Sequence, residues 1–367
     1  MVWLLYFRLN LIMKILIVKL SSLGDVIQTL PVLIPLKKFF SNPHITWLIE
    51  EETADLLKEH PLVDQVIVFP KSRWIKRGKY FKNWFSWLKE GAKFIKEVRA
   101  VNYDLIIDFQ GLFKSGILVM LAKGEKKVGF FPSREKAHIF LTEKIFFPHP
   151  PLHAIERYLF LVESLCGKKS TEPEFFIPIR QRHRNRVLKF FHENHIELDK
   201  PVVLLHPGTR WETKQWEEGR WAKLGDWLQT RNGAQVIFTG SKNDFFLINR
   251  IANKMKFPGI NTAGRWNLNE LAFLQKLSDL IIIPDSGPMH LAVAMGTPVI
   301  ALFGPTEPKL TGPYGKQHQV IISSTKCRPC FKRKCDLAPC MKAITLEEVW
   351  EAAKIMLRKK EEVYGPK

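Results

Sequence analysis

Short apolar runs alternate with longer amphipathic stretches in the first half of the chain. The runs are rich in Ile, Val and Leu, which is typical of strands buried in a parallel sheet. The predicted strands are 14–18, 44–49, 65–69, 105–109 and 127–131. The predicted helices are 25–40, 52–59 and 84–99. This alternation predicts an α/β domain whose parallel sheet carries helices on both faces.

The same alternation begins again after a polar, proline-bearing stretch at 167–201, which contains a predicted helix at 181–193. The second set of predicted strands is 202–205, 235–239, 280–283 and 299–303. The second set of predicted helices is 216–231, 244–255, 268–277, 289–295 and 346–359. A chain of 367 residues is long enough for two domains. We therefore place an amino-terminal domain at 13–180, a carboxyl-terminal domain at 181–345 and a final helical segment at 346–367.

The first residues, 1–13, are apolar but are interrupted by Arg8 and Asn10, and they are too short to span a membrane. No small-residue cleavage site of a signal peptide follows them. Two interpretations stay open: an extension upstream of a start at Met13, or a weak membrane-touching segment. No other stretch is a transmembrane candidate, so we expect the protein to be cytoplasmic or peripheral to a membrane.

Positive charge dominates the composition. The chain carries 56 Lys and Arg against 36 Asp and Glu, a formal net charge of +20. Such a surplus predicts an acidic partner: nucleic acid, an anionic membrane or a phosphorylated substrate. No RNA- or DNA-binding motif accompanies the charge, so nucleic acid is not the expected partner. About half of the surplus is expected to be solvated surface only.

The loop 206–216 follows the predicted strand 202–205 and reads His-Pro-Gly-Thr-Arg-Trp-Glu-Thr-Lys-Gln-Trp. It offers backbone amides, hydroxyls and cations at the carboxyl end of a strand, where open α/β sheets bind ligands. These groups suit an anionic ligand such as a diphosphate. The alternative is a surface loop whose charge is incidental.

Residues 279–294 run from a strand through a tight turn into a helix. Ser286 suits the N-cap, Gly287 allows close approach of the backbone to a ligand, and Pro288 fits the first helical turn. Such a helix start presents free amides and a partial positive charge, which favour phosphate. The stretch 297–307 repeats the strand-then-polar-turn pattern, so we expect three loops to converge on one rim of one sheet.

Asp25 follows Gly24 at the mouth of the first strand–loop–helix. A carboxylate there would be placed to take a proton from an attacking hydroxyl, as a general base. An Asp at a helix start is also an ordinary electrostatic cap, and position alone does not separate the two roles.

These segments resemble the lipopolysaccharide heptosyltransferases, which belong to the ADP-heptose glycosyltransferases (family 9) with the GT-B fold. The resemblance covers about 13–350 and rests on two motifs together, Lys-x-Ser-Ser-x-Gly-Asp at 19–25 and Asp-Ser-Gly-x-x-His at 285–290. It implies two Rossmann-like domains with parallel sheets facing a central cleft, and a final segment, 346–367, that packs back on the first domain. It also implies that Asp25 is the catalytic base of a metal-independent, inverting displacement without a cofactor.

Two subgroups of this family share features with the chain. The segments 108–115 and 153–158 are most similar to heptosyltransferase I, and the Cys-rich segment is more similar to heptosyltransferase II. The resemblance implies transfer of L-glycero-D-manno-heptose from ADP-heptose to the Kdo-lipid A inner core of lipopolysaccharide, with addition of the second heptose as the alternative. We expect a monomer at the anionic cytoplasmic face of the inner membrane. A GT-B sugar-nucleotide epimerase and a nucleic-acid-binding protein are the alternatives from other classes.

The resemblance assigns the donor contacts to the second domain. The residues are Thr209, Lys214, Asp244, Trp266, Asp285, Ser286, Gly287 and His290. Thr209 and Lys214, the second counted as catalytic, match positions that contact the donor diphosphate, and Asp244 approximates an acidic residue that bonds a ribose. Trp266 would stack on adenine or pack in the core. His290 would donate to phosphate or only face the next strand.

The first domain carries candidate groups for the acceptor, whose Kdo carboxylates and lipid A phosphates need positive charge. They are Arg73, Lys76, Arg77, Lys79, Gln110 and Lys114. The alternative for 73–79 is a solvated basic loop.

Four cysteines stand close together near the carboxyl end: Cys327, Cys330, Cys335 and Cys340. Four thiolates can hold Zn²⁺ or an iron–sulfur cluster, but the second pair is wider than in the usual zinc ribbon. Disulfides are disfavoured in a reducing cytosol. Two alternatives stay open: a structural zinc site, or a loop whose cysteines are reduced or disulfide-bonded. We expect the transfer reaction itself to need no metal.

Overall fold

The computed structural model describes a large part of the chain: residues 12–71, 74, 84–169 and 172–364. The chain divides into two compact units, Met1–Pro178 and Ile179–Lys367. The boundary predicted from the sequence, after residue 180, lies close to this division. The candidate acceptor cations Arg73, Lys76, Arg77 and Lys79 lie outside the described residues.

The described part of the first unit holds a parallel sheet of six strands. In chain order they are β1 (Lys14–Val18), β2 (His44–Glu50), β3 (Gln65–Phe69), β4 (Asn102–Asp108), β5 (Lys123–Phe131) and β6 (Glu143–Phe146). The helices described here are α1 (Leu23–Thr29), α2 (Leu33–Phe39), α3 (Trp84–Val98), α4 (Phe113–Leu121) and α5 (Ala154–Cys166). The strand order is β3-β2-β1-β4-β5-β6, and every neighbouring pair is parallel.

The described part of the second unit holds another parallel sheet of six strands. They are β7 (Val202–Leu205), β8 (Gln235–Phe238), β9 (Ile260–Asn261), β10 (Leu280–Pro284), β11 (Val299–Phe303) and β12 (Gln319–Ile322). The helices are α6 (Gln181–Glu193), α7 (Glu218–Asn232), α8 (Phe245–Ala252), α9 (Leu268–Leu277), α10 (Gly287–Ala294), α11 (Pro308–Thr311), α12 (Pro339–Ala343) and α13 (Leu346–Tyr364). The order is β12-β11-β10-β7-β8-β9, again all parallel.

The two units share one topology. When the strands of each unit are counted in chain order, both sheets have the order 3-2-1-4-5-6, which is that of a doubly wound Rossmann-like fold. The α/β, Rossmann-like prediction is therefore confirmed for each unit. The strand order reverses between β1 and β4 in the first unit and between β7 and β10 in the second. Loops at the carboxyl ends of these strand pairs are the expected ligand-binding edges.

Each strand next to a reversal point is buried on both faces, which explains its unbroken apolar sequence. In β7, Val203 and Leu205 pack into the core cluster that contains Trp221. Val202 and Leu204 point into the cluster on the other face. Covered faces fix the register of the strand, so the loops that follow it start from a rigid edge.

The final helix, α13, packs into the core of the second unit. Val349, Trp350 and Ala353 belong to the same cluster as Trp221, and the rings of Trp350 and Trp227 meet edge to face with centroids 5.7 Å apart. The expectation that the final segment packs on the first domain stays a prediction.

The helix predicted at 25–40 is interrupted in the structure. A 3-10 turn, Leu30–Val32, separates α1 from α2, because Pro31 has no N–H to continue the hydrogen-bond ladder of α1. The helix predicted at 52–59 is a shorter 3-10 turn, Glu51–Leu56. Within the described residues, no helix has both the length and the apolar character needed to cross a bilayer.

Candidate active site

Asp25 lies in the first turn of α1, directly after the β1 edge. Its Oδ2 accepts hydrogen bonds from the Ser22 amide (2.9 Å) and the Ser22 hydroxyl (2.8 Å), so the electrostatic cap weighed from the sequence is present. Its Oδ1 lies 3.9 Å from Lys19 Nζ, and 39% of the Asp25 side chain is exposed. Capping through one oxygen and proton transfer through the other are compatible roles.

Lys19 is a buried cation beneath Asp25, with a side chain only 2% exposed. Its Nζ donates to the Phe109 carbonyl (3.1 Å) and to the Tyr158 hydroxyl (2.8 Å). It also lies 4.7 Å from the centroid of the Tyr158 ring, within the range of a cation–π contact. The loop between β1 and α1 is thereby fastened to the end of β4 and to α5.

The turn after β4 is built around a buried carboxylate, Asp108. Its Oδ1 accepts the amides of Gln110 (2.9 Å) and Gly111 (3.1 Å). Gly111 has a φ of +63°, which favours glycine. Burial raises the pKa of Asp108, and its hydrogen bonds act in the opposite sense. The turn holds Gln110 so that its Oε1 accepts the amides of Leu20 and Ser21, each at 3.1 Å.

Lys114, in the first turn of α4, shares a carboxylate with Lys71. Lys114 Nζ donates to Glu50 Oε1 (2.7 Å) and to Ser21 Oγ (3.4 Å). Lys71 Nζ donates to Glu50 Oε2 (3.1 Å). The Glu50 side chain is only 6% exposed, so two cations surround one carboxylate and the cluster keeps a net positive charge. The structure therefore brings Asp25, Gln110 and Lys114 to one loop, 19–25. Glu50, the partner of Lys114, is not indicated by the sequence.

Lys214 occupies the corresponding edge of the second sheet. Its Nζ donates to Asp285 Oδ2 (2.6 Å) and to the Asp285 carbonyl (3.3 Å), and it lies 4.3 Å from the centroid of the Trp211 ring. The side chains of Lys214 and Asp285 are 11% and 10% exposed. Because the Asp285 carbonyl is bonded to the nitrogen of Ser286, the ammonium lies at the start of α10.

The start of α10 has the geometry predicted for an anion site. Ser286 is the N-cap, Gly287 is the first helical residue and Pro288 lies in the first turn. Within the described residues, the Ser286 hydroxyl is buried without a hydrogen-bond partner. Helix amides, a free hydroxyl and the Lys214 ammonium together favour an oxyanion. His290 follows as a buried residue of the same helix.

Thr306 brings the third loop to the same place. Its buried hydroxyl donates to Asp285 Oδ2 at 2.7 Å, the oxygen that also accepts from Lys214. The predicted convergence of three loops is confirmed by these contacts. The repeated strand-then-turn pattern at 297–307 predicts this loop. It does not predict the contact of Thr306 with Asp285.

Asp244, in the turn after β8, lies against Gly208, the residue before Thr209. The Thr209 hydroxyl accepts from the Trp211 amide (3.1 Å) and donates to the Trp211 carbonyl (3.2 Å), which shapes the loop. Asp244 Oδ2 accepts the amide (2.7 Å) and hydroxyl (2.6 Å) of Ser241. A Cβ at position 208 would lie 2.4 Å from Asp244 Cγ, so the close approach of this carboxylate requires Gly208.

His206, the first residue of the loop 206–216, contributes no charge at neutral pH. Its Nδ1 lies 2.9 Å from the Thr239 hydroxyl. Burial lowers the pKa of His206 to about 4, although the nearby Asp244 charge acts in the opposite direction. The positive charge at this edge therefore does not come from His206.

Trp266 packs against the core of the second unit. Its ring meets Phe190 edge to face with centroids 5.1 Å apart, and the Arg265 guanidinium lies 5.3 Å from its centroid. Its Nε1 is buried, and no described residue hydrogen-bonds to it. These contacts agree with a packing role for Trp266 in the core. Stacking of Trp266 on a base stays a prediction.

The four cysteines of the carboxyl-terminal segment are free thiols. Cys340 is buried, Cys330 is half-buried, and Cys327 and Cys335 are exposed. Burial raises the pKa of Cys340, and the nearby Cys327 and Cys330 add to the effect. Over the described ranges, no three His, Cys, Asp or Glu side chains form a group that could hold a metal ion. A structural zinc at these cysteines therefore stays a hypothesis.

Known proteins resemble this chain in sequence and in structure. Residues 92–341 match glycosyltransferase family 9 (heptosyltransferase). Lipopolysaccharide heptosyltransferase 1 of Salmonella typhimurium is 32% identical over 319 residues, which cover 85% of this chain and 94% of that protein. E. coli heptosyltransferase WaaC, solved with ADP, superposes with a TM-score of 0.73 at 26% identity, over 94% of this chain and 100% of that one. E. coli ADP-heptose lps heptosyltransferase II, at 21% identity, has a TM-score of 0.75 over 95% of this chain and 100% of that one.

The family match extends over more than half of the chain and spans both units. The two Rossmann-like sheets give the α/β architecture of GT-B glycosyltransferases, which the structural neighbours share. The chain is a glycosyltransferase and belongs to glycosyltransferase family 9, the heptosyltransferases.

Proposed function

We propose that this enzyme transfers L-glycero-D-manno-heptose from ADP-heptose to the Kdo-lipid A inner core of lipopolysaccharide, as a heptosyltransferase I. The observation that carries the proposal is the start of α10, where Lys214 Nζ meets the Asp285 carbonyl and the Ser286 hydroxyl has no hydrogen-bond partner among the described residues. A cation, a hydroxyl and helix amides at one point suit the diphosphate of a nucleotide-sugar. The relative WaaC was solved with ADP, which supports the same donor here.

The chemistry is a single displacement at the anomeric carbon. The acceptor hydroxyl attacks this carbon and gives its proton to Asp25 Oδ1, while the bond from the carbon to the diphosphate oxygen breaks. ADP leaves with the electron pair, and the configuration inverts. Lys214 and the α10 amides stabilise the negative charge that develops on the leaving group.

The remaining donor contacts follow from the second edge. We assign the ribose to Asp244, which lies against Gly208 beside the Thr209 loop. Thr209, Ser286, Gly287 and His290 are assigned to the diphosphate, Asp285 to sugar hydroxyls or to holding Lys214, and Trp266 to the adenine.

The acceptor is assigned to the first edge. Gln110 and Lys114 contact the loop that leads to Asp25, and the two lysines on Glu50 leave positive charge there. Arg73, Lys76, Arg77 and Lys79 are further candidates for binding the lipid A phosphates. The net charge of +20 supports association with the anionic cytoplasmic face of the inner membrane, and we propose that the enzyme acts there as a monomer.

A product assay with ADP-heptose tests the proposal and separates its alternatives. Kdo-lipid A should gain the mass of one heptose, with release of one ADP. An acceptor that already carries the first heptose should give no product. Product from that acceptor alone would establish heptosyltransferase II instead. Isomerisation of the sugar nucleotide without any acceptor would establish an epimerase and overturn the proposed transfer.

A further inference from the structure

The cysteine-rich segment lies against two loops of the second unit, 206–216 after β7 and 304–307 after β11. We call these two the donor loops, and we call residues 327–341 the clasp. The amides of Cys330 and Phe331 donate to the Pro305 carbonyl, at 3.1 and 3.0 Å. The hydroxyl of Thr213, the residue before Lys214, donates to the Lys332 carbonyl at 2.7 Å. One segment therefore ties the loop after β7 to the loop after β11.

Arg328 makes the central contact of the clasp. Its Nε donates to the Gly304 carbonyl (3.1 Å) and its Nη2 to the Thr306 carbonyl (2.8 Å). A guanidinium fork that binds two carbonyls fixes the course of the backbone between them. The Thr306 hydroxyl is thereby held toward Asp285 Oδ2 (2.7 Å), which orients the carboxylate that pairs with Lys214.

The far end of the clasp covers the same loop. A Cβ at position 304 would lie 2.7 Å from Met341 Sδ and 3.1 Å from Cys340 Sγ, so Gly304 is in close contact with the clasp. The Arg333 guanidinium lies 5.3 Å from the ring centroid of Trp211, the ring that also carries Lys214. The far end of the clasp therefore contacts the loop after β11, and its middle contacts the ring beside Lys214.

We propose that the clasp is part of the donor site and that Arg328 is a positioning residue for the Lys214–Asp285 pair. Arg328 acts through Thr306 and does not itself touch the donor. With the loop fixed in advance, Lys214 loses less freedom when the diphosphate arrives, so affinity rises without a new contact. The inference rests on the proposed function, because it takes the ligand at Lys214 to be the ADP moiety.

The test is calorimetry of ADP binding to Arg328→Met, with Arg220→Met as the matched control. Arg220 also donates to two carbonyls, those of Lys342 and Ile344, but contacts neither donor loop through them. We expect Arg328→Met to raise the Kd for ADP about 5- to 10-fold, the loss expected for one or two hydrogen bonds. The KM for ADP-heptose should rise in parallel, with the KM for Kdo-lipid A unchanged. Arg220→Met should keep the ADP affinity at a comparable Tm.

A double-mutant cycle with Thr306→Val separates positioning from general stability. If Arg328 acts through Thr306, the two substitutions together should weaken ADP binding little more than either alone. Should Arg328→Met fail to fold, Arg328→Lys removes the fork but keeps the charge, and Thr213→Val breaks the other tie; each should raise the Kd about 2- to 5-fold. Wild-type affinity in every folded variant would overturn the inference. A wild-type protein that does not bind ADP would overturn the proposed function instead, so the two failures are distinguishable.

Discussion

Each unit has a lysine–aspartate pair at the edge where its strand order reverses: Lys19 with Asp25 in the first unit, and Lys214 with Asp285 in the second. In the first pair the lysine is 2% exposed and the aspartate 39%, and their charged atoms are 3.9 Å apart. In the second pair both side chains are buried, with 11% and 10% exposed, and their charged atoms are 2.6 Å apart.

The difference shows how one pair of residue types can serve opposite purposes. The first contact is long and the Asp25 side chain is partly exposed, while the Lys19 side chain is buried. In the second pair, Asp285 holds the ammonium of Lys214 in place at the start of α10. These geometries support the two proposed roles, a catalytic base at the first edge and a phosphate site at the second.

The largest expected effect comes from removing the base. Asp25→Asn keeps an oxygen for the Ser22 cap but cannot take the proton, so kcat should fall about 10²- to 10⁴-fold. The Kd for ADP should stay within about twofold. Steady-state kinetics and calorimetry measure the two quantities, with the exposed Asp55→Asn as the control that keeps full activity. A kcat near that of the wild type would remove Asp25 from the mechanism.

The next effect comes from removing the cation of the second pair. Lys214→Met should weaken ADP binding by roughly 1.5–3 kcal/mol, the value of a charged hydrogen bond. It should also lower Tm, because Asp285 is left buried without its partner charge. The double variant Lys214→Met/Asp285→Asn should recover Tm but not ADP affinity. If calorimetry shows unchanged ADP affinity in both variants, Lys214 has only a structural role.

A smaller effect is expected from the buried cation of the first pair. A nearby positive charge favours an ionised carboxylate, so in Lys19→Met the acid limb of the kcat/KM profile should move to higher pH. The shift should be about one pH unit or less, because Asp25 is partly exposed. The buried Asp108 also senses the charge of Lys19.

Tyr158→Phe is the control for the Lys19 experiment. It removes the hydrogen bond of 2.8 Å to Lys19 but keeps the charge, so the acid limb should stay in place. An unshifted profile in Lys19→Met, or equal shifts in both variants, would contradict an electrostatic role for Lys19.

The smallest expected effect is that of chelation. Excess EDTA should leave kcat unchanged, because Lys214 and the helix start already neutralise the diphosphate. If the cysteines of the clasp hold zinc, elemental analysis should find about one ion per chain, and chelation should lower Tm without slowing the protein that stays folded. Loss of kcat at a temperature where the fold persists would show that the reaction needs a metal.

Local features of the site could be predicted from the sequence because they depend on neighbouring residues. Ser286 as N-cap and Pro288 in the first turn follow from backbone geometry within a few positions. The capping contact of Asp25 with Ser22 is equally local. Where a local rule was set aside, the prediction was wrong: Pro31 ends the first helix, which had been extended through it.

The sequence by itself determined the α/β alternation, the two units, and the loops that carry Asp25, Lys214 and Ser286. Only the tertiary structure decided the partners of these groups: Lys114 with Glu50, Lys214 with Asp285, and Arg328 with the Thr306 loop. Such partners are far apart in the chain and meet only when the strand order brings loop ends to one edge. Periodicity and spacing report which face of an element is buried, whereas a contact between two loops depends on how the elements are ordered and packed.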